Sequence, residues 1–183
     1  MNLADYDIHR YSWHRAGLEI RESPLQGKGV FTATAIKPGE LVIVWGGIVV
    51  TYGDFASGTG LPHSNIGLSE THCLVAPNDE GLSLDDYMNH SCDPNLWLDG
   101  PIRLIARRPI AANEELTFDY AIEVGHETYV MKTQCQCAAA NCRGTITGRD
   151  WRIPNIQRTY HGHFSPFISA RIQSLNSSDR RSR

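Results

Sequence analysis

The 183-residue chain lacks a long apolar segment and a strong excess of charge of either sign. Its longest apolar run, Leu41–Val50, is interrupted by two glycines and is too short to cross a membrane. No apolar stretch follows the amino terminus, so no secretory signal is expected. The formal net charge of −3 is unlike that of a dedicated nucleic-acid binder, so nucleic acid is not indicated as a partner. These absences favour an intracellular, reducing compartment and leave cytoplasm and nucleus open.

Cysteines are few, and their odd number of five argues against a disulfide framework. Three of them are closely spaced as Cys135-x-Cys137-x4-Cys142. Zinc prefers four thiolate or imidazole ligands in a tetrahedron, so the spacing predicts a zinc site that still needs one ligand. Unpaired thiols in a loop are the alternative interpretation. The candidates for the fourth ligand are Cys73, Cys92, His90 and His126.

Hydrophobic residues make up 41% of the chain and charged residues 20%, which is ordinary globular usage. Sixteen glycines and nine prolines favour many short elements over a few long helices. The alternating apolar pattern predicts a mostly β main domain, with Leu41–Val50 as one buried strand. Ser165 and Pro166 predict the start of a helix in the tail. The predicted regions are an arm at 1–16, the main domain at 17–121, a cysteine-bearing segment at 122–151 and a tail at 152–183.

The segment Asn89-His90-Ser91-Cys92 precedes a turn at Asp93-Pro94-Asn95. An amide, an imidazole and a thiol can together serve a thiol nucleophile. A structural polar turn is the favoured interpretation, because two residues of separation in a turn guarantee no contact between His90 and Cys92.

The segment Glu114–Tyr120 has a period of two, which puts Leu116, Phe118 and Tyr120 on one face. This pattern is typical of the core face of a strand. A buried tyrosine needs a partner for its hydroxyl, and Tyr120 ends the run, so its hydroxyl could face a cavity.

Gln26 precedes Gly27-Lys28-Gly29, where two glycines let a ligand approach the backbone closely. Their amides can hold a carboxylate. A hairpin turn is the favoured interpretation of a single Gly-x-Gly.

Taken in order, these segments resemble the SET-domain family of protein-lysine methyltransferases. The resemblance covers about residues 17–151, and the two hallmark segments within it are long and specific. The matching motifs are Gly27-Lys28-Gly29-Val30-Phe31, Ile36-Lys37-Pro38-Gly39-Glu40, the hallmark segments Asn89–Asn95 and Asn113–Tyr120, and the post-SET segment Cys135–Gly144.

The resemblance implies a mainly β fold: the SET-domain fold of small curved sheets with a C-terminal pseudoknot, plus a zinc-stapled post-SET segment. Relatives with this cysteine pattern bind one structural zinc through the hallmark cysteine and the three post-SET cysteines. Cys73 is then left as a buried free thiol. The implied zinc ligands are Cys92, Cys135, Cys137 and Cys142.

The cofactor that the resemblance implies is S-adenosylmethionine. Trp151 is expected to cover its adenine ring, with a packed tail aromatic as the alternative. The residues implied to bind it are Gln26, Gly27, Lys28, Gly29, Asn89, His90 and Trp151.

The implied reaction is direct methyl transfer to a neutral lysine amine, with Tyr120 as the family's catalytic tyrosine. A phenol with a pKa of about 10 is a poor base at neutral pH, so Tyr120 is expected to orient the amine. Phe118 and Trp45 are the implied channel residues. Phe118 leaves room for a methylated amine to turn, so di- or trimethylation is expected.

The implied partner is a lysine of a protein or peptide, with histones among the candidates, and a monomer without a membrane partner is expected. One alternative function is a catalytically inactive, zinc-stapled SET-like binding module. The other is a hydrolase that uses Cys92, which zinc ligation of that thiolate would prevent.

Overall fold

The structure, a computed structural model, describes residues 6–79 and 81–181. Residues 1–5 of the predicted arm and 182–183 of the predicted tail lie outside the described residues. Short strands dominate, and no helix in the described ranges is long and apolar enough to cross a bilayer. The strands are β1 (Trp13–His14), β2 (Leu18–Glu22), β3 (Lys28–Thr32), β4 (Leu41–Val44), β5 (Ile48–Thr51), β6 (Ile66–Gly67), β7 (His72–Val75), β8 (Asn89–His90), β9 (Leu96–Asp99), β10 (Arg103–Ala106) and β11 (Glu115–Phe118); the helices are α1 (Tyr52–Ala56), α2 (Pro154–Thr159) and α3 (Pro166–Arg181).

The strands form three small sheets with the orders β1-β4-β10-β9, β2-β3-β11-β8 and β5-β7-β6. Their pairs are antiparallel except β8 with β11, where Asn89 lies opposite Thr117 and His90 opposite Phe118. This parallel pair brings the two hallmark segments side by side. The predicted mainly β fold of small sheets is therefore confirmed.

The apolar run Leu41–Val50 was expected as one strand, and that expectation is wrong. It divides into β4 and β5, which belong to different sheets. The chain turns at Gly46 and Gly47, where there is no room for a side chain. A Cβ at Gly46 would lie 2.2 Å from the Tyr11 carbonyl carbon, and one at Gly47 would lie 2.4 Å from the Val75 oxygen. The break leaves Trp45 between the two sheets, where it is almost fully buried.

The tail packs into the main core. Helix α2, which the sequence analysis did not predict, buries Ile156, and α3 buries Phe167 and Ile168. Helix α3 begins at Pro166 as the sequence predicts, but the buried hydroxyl of Ser165 makes no hydrogen bond. The Ser165 amide instead donates to the Ile122 carbonyl at 2.7 Å, which ties the helix start to the segment after β11.

The packing of α3 predicts unequal costs for two truncations on this helix. Ile168 is fully buried, so Ile168→Ala should lower the free energy of unfolding by about 2–5 kcal/mol. Leu175 is 40% exposed, so Leu175→Ala should change it by less than about 0.5–1 kcal/mol. Urea denaturation of both variants measures the difference, and equal costs would contradict the docking of α3.

Candidate active site and metal centre

A cavity of about 750 Å³ is lined by residues from several of the predicted motifs. One part, called here the glycine end, is formed by Gln26, Gly27, Lys28 and Asn89. The other part, called the aromatic end, is formed by Trp45, Phe118 and Tyr120. The two ends meet at the consecutive residues Met88 and Asn89, so one space connects them.

Asn89 holds the glycine end together. Its amide nitrogen lies 3.2 Å from the Gln26 carbonyl oxygen and 3.0 Å from that of Lys28. It also donates to Glu115 Oε1 at 2.8 Å. A Cβ at Gly29 would lie 2.1 Å from that same Glu115 oxygen, so a larger residue would have to displace the Glu115 carboxylate. Glu115 lies inside a hallmark segment, but its strand pattern gave no signal of this role.

Gly27 supplies the turn that shapes the glycine end. Its φ of +50° lies in the left-handed region, which glycine adopts without strain. No heavy atom beyond its chain neighbours lies within 4 Å of where a Cβ would stand. The turn joins β2 to β3, which is the hairpin that the sequence analysis favoured, and the space beside the Gly27 Cα is open.

The aromatic end is a run of three rings. Trp45 meets Phe118 edge-on at 5.6 Å between ring centroids, and Phe118 lies 5.1 Å from Tyr120. The Tyr120 hydroxyl donates to the Met88 carbonyl oxygen at 3.0 Å. Burial is the main cause that raises the pKa of Tyr120. The phenol therefore stays protonated at neutral pH and has a fixed orientation.

His90 is not among the residues that line the cavity, and its predicted contact with the cofactor stays a prediction. The ring is buried, and its Nδ1 accepts the Tyr120 backbone N–H at 3.2 Å. Its Nε2 lies 3.3 Å from the Cys92 sulfur. Burial lowers the pKa of His90 to about 4, so the ring is neutral and links the cysteine to the tyrosine backbone.

Trp151 is also absent from the cavity lining, which does not support the predicted cover over an adenine ring. It is 2% exposed and belongs to the main core. The guanidinium carbons of Arg152 and Arg171 lie 4.9 and 5.7 Å from its ring centroid. The alternative interpretation, a packed tail aromatic, agrees with this position.

Four cysteines bring their sulfur atoms within 4.8 Å of one another. A tetrahedral site with Zn–S bonds of about 2.3 Å requires sulfurs roughly 3.8 Å apart, so small shifts would close this cluster around Zn²⁺. Cys73 lies elsewhere, fully buried in β7, and neither His90 nor His126 belongs to the group. The ligand left open by spacing is Cys92, and the set is Cys92, Cys135, Cys137 and Cys142.

Backbone amides already point at this cluster. The Arg143 N–H lies 3.4 Å from the Cys92 sulfur, and the Cys92 N–H lies 3.5 Å from the Cys137 sulfur. Burial opposes ionisation of Cys137, but the Cys92 and Ala139 amides and the neighbouring thiols lower its pKa to about 7. Amide donors of this kind stabilise thiolate ligands, so the donor set suits a closed structural zinc.

A buried ion pair joins the metal segment to the second hallmark segment. Arg143 donates to both oxygens of Asp119 at 2.7 and 2.6 Å, and to Asp150 at 2.7 Å. Tyr160 donates its hydroxyl to Asp119 at 3.2 Å. Sequence reasoning missed this network, because partners so far apart along the chain leave no local pattern.

Small sheets, a parallel pair of hallmark strands and a four-sulfur cluster beside a two-ended cavity define the class of protein. A family model described as "SET domain" matches residues 27–121. The chain belongs to the SET-domain family.

Among sequence relatives, it is 32% identical over 152 residues to the histone-lysine N-methyltransferase ash1 of Drosophila melanogaster, which covers 75% of this chain and 7% of that protein. It is 32% identical over 149 residues to the histone-lysine N-methyltransferase SUV39H2 of Mus musculus, with 66% and 31% covered. The chain therefore spans a small part of these relatives.

Among solved structures, the methyltransferase domain of human SETMAR aligns with a TM-score of 0.58 at 20% identity, over 73% of this chain and 58% of that one. KRYPTONITE in complex with mCHH DNA, H3(1-15) peptide and SAH aligns with a TM-score of 0.58 at 26% identity, over 73% of this chain and 30% of that one.

The cluster predicts that the protein binds one zinc ion per chain, measurable by atomic absorption. Cys137→Ser should weaken zinc affinity at least about tenfold, because it replaces a thiolate with a poor ligand. Cys73→Ala is the matched control and should retain the metal, since Cys73 lies outside the cluster. Equal zinc loss in the two variants would contradict the assignment.

Proposed function

We propose that the protein is an S-adenosylmethionine-dependent protein-lysine N-methyltransferase. The observation that carries the proposal is the single cavity that connects the glycine end to the aromatic end, with the Tyr120 hydroxyl held at Met88 where they meet. Its support is membership of the SET-domain family and relatives named as histone-lysine N-methyltransferases. The KRYPTONITE complex contains SAH and an H3 peptide, which supports a cofactor of the S-adenosylmethionine class and a peptide substrate.

The glycine end is the proposed cofactor site. When bound there, S-adenosylmethionine supplies a methyl group made electrophilic by its sulfonium. Gln26, Gly27, Lys28 and Gly29 would hold the amino-acid part of the cofactor through their backbone, and Asn89 fixes the shape of that turn. The close approach at Gly29 fits this use, because any larger residue would displace Glu115 and Asn89.

The aromatic end is the proposed lysine channel. Free lysine has a pKa of about 10.4, so an amine must lose its proton before it can attack a methyl group. The rings of Trp45 and Phe118 exclude water, which disfavours an isolated charge. Tyr120 would orient the amine with its hydroxyl oxygen, and holding the reacting atoms in line supplies much of the acceleration.

The proposed substrate is a lysine of a histone or of another protein. The four-thiolate cluster requires reduced cysteines, so a reducing compartment is proposed, with cytoplasm and nucleus left open. The monomeric state and the absence of a nucleic-acid partner stay predictions from composition.

Transfer of labelled methyl groups from S-adenosylmethionine to mixed core histones tests the proposed function. The parent protein should label a lysine, and Tyr120→Phe should lower kcat at least about tenfold, because the amine loses its orienting oxygen. Tyr11→Phe is the control, since Tyr11 is 65% exposed and outside this cavity. A parent protein that labels neither histones nor any protein of a whole-cell lysate would favour the inactive binding module.

The ring at position 118 predicts the number of methyl groups transferred. Phe118 brings no hydroxyl to the aromatic end, so mass spectrometry should find di- or trimethyl-lysine at long reaction times. Phe118→Tyr should restrict the product to monomethyl-lysine, because the added hydroxyl and its water reduce the space. A parent that stops at one methyl, with an unchanged product pattern in Phe118→Tyr, would refute this.

A further inference from the structure

Glu123 is a buried carboxylate in the wall of the cavity, and the function proposed above gives it no role. It follows the turn Tyr120–Ile122 and is 4% exposed. Its Oε2 accepts the Gly67 N–H at 2.9 Å, and both residues line the cavity. Its other oxygen has no hydrogen-bond partner among the described residues. That oxygen is not among their fully buried polar atoms without a partner, so it keeps some accessible surface.

No cationic side chain of the described residues forms an ion pair with Glu123. The guanidinium of Arg171, on α3, is held by Glu70 and by the Gly125 carbonyl at 2.6 Å. A buried carboxylate without a cation is costly, so its presence needs an explanation. The titratable and charged groups that face Glu123 from the elements around it are Tyr52 of α1, Cys73 of β7, Tyr120, Tyr129, His126, and the Arg171–Glu70 pair.

Glu123 lies one turn after Tyr120, with its N–H donating to the Tyr120 carbonyl oxygen at 3.2 Å, and both residues line the cavity. Burial first, and then the Glu123 charge, raise the pKa of Tyr52, of Cys73 and of Tyr129, the last to about 12. The same charge contributes to the raised pKa of Tyr120. Tyr52, Tyr120 and Tyr129 line the same cavity as Glu123. Ring faces and a carboxylate both attract a cation, so this lining suits an alkylammonium.

We propose that Glu123 binds the ε-ammonium of the substrate lysine and accepts its proton before methyl transfer. This inference rests on the proposed function and names the proton acceptor for the same site. The N–H bond of the ammonium breaks, its electron pair stays on nitrogen, and an O–H bond forms on the carboxylate. A neutral amine and a neutral carboxyl group result, so no charge is left in the aromatic end before the methyl group is received. The carboxyl proton then passes to solvent through the cavity.

The acidity of Glu123, compared with that of the phenols around it, suits this role. Burial raises its pKa to about 7, against the opposing effect of the Gly67 N–H. A proton acceptor works best when its pKa is near the working pH, because it is then both available and basic enough. The phenols around it are poor acceptors, since their pKa values are raised away from neutrality.

The test is the pH dependence of single-turnover methyl transfer to core histones between pH 6 and 10. In the parent, the rate should rise as Glu123 ionises near pH 7 and become level well below the lysine pKa of about 10.4. In Glu123→Gln, which keeps an oxygen for the Gly67 N–H, the lysine must deprotonate in solvent. The rate at pH 7.5 should then fall at least about tenfold and rise about tenfold per pH unit toward the parent's value.

Glu127→Gln is the matched control, because Glu127 lies outside the cavity lining and pairs with Arg149 and Arg152. Its profile should coincide with the parent's, and Glu123→Asp should keep the neutral-pH rise with a lower plateau. A structural role for Glu123 would lower the rate equally at every pH, and that result overturns the proposal. Circular dichroism and zinc content show whether Glu123→Gln folds. If it does not fold, the pH profile of the parent protein is the test. A parent rate that keeps rising to pH 10 overturns the proposal, and a rate that becomes level supports it.

A second readout needs no turnover. Binding of n-butylammonium, the lysine side-chain cation, is followed by NMR at pH 8 in the parent and in Glu123→Gln. The parent should bind it at least about tenfold more tightly than the variant, whereas neutral n-butanol should bind both equally. Equal affinity for the cation overturns the proposal. Absence of methyl transfer by the parent would instead count against the proposed function, so the two failures are distinguishable.

Discussion

The arrangement of the site depends on how the buried carboxylate of Asp119 is neutralised. Asp119 directly follows β11 and is fully buried. Its carboxylate accepts hydrogen bonds from both terminal guanidinium nitrogens of Arg143 and from the hydroxyl of Tyr160. Removing one partner from such a buried pair leaves a charge whose desolvation costs several kcal/mol. The second hallmark segment can therefore keep its path only while the segment that carries Arg143 is folded against it. Arg143 directly follows Cys142, so the ion pair and the four-sulfur cluster hold the same stretch of chain in place.

The ion pair and the four-sulfur cluster are connected to the cavity through few contacts. Cys92 lies beside the His90 ring, and that ring accepts the Tyr120 backbone N–H, so one neutral imidazole links the sulfur cluster to the Tyr120 backbone. The segment that leads to the post-SET cysteines lines the cavity, and its Thr133 hydroxyl donates to the Gln26 side chain at 3.0 Å. A metal held by the four cysteines would thus be coupled to both ends of the cavity through these contacts.

Sequence patterns predicted what is local. Cysteine spacing predicted three metal ligands, and strand alternation put Phe118 and Tyr120 at the end of a buried run. The fourth ligand, Cys92, came from the family resemblance, because a contact across more than forty residues leaves no periodic signal. The ion pair of Asp119 with Arg143 was missed for the same reason. Leu41–Val50 was predicted as one strand, because apolar periodicity does not show that Gly46 and Gly47 face the arm and β7 at contact distance.

Burial has opposite consequences for the two kinds of acid near the aromatic end. It moves the pKa of the Tyr120 phenol further from neutrality, so this group remains a protonated donor to the Met88 carbonyl. It moves the carboxyl of Glu123 from its ordinary acidic range to about 7, where a proton can be exchanged at physiological pH. The Gly67 N–H limits that shift, because it stabilises the carboxylate. One desolvated environment thereby suits the phenol to the proposed orienting role and the carboxyl to the proposed proton transfer. It arises from packing around β6, α1 and the segment after β11 rather than from any motif in the sequence.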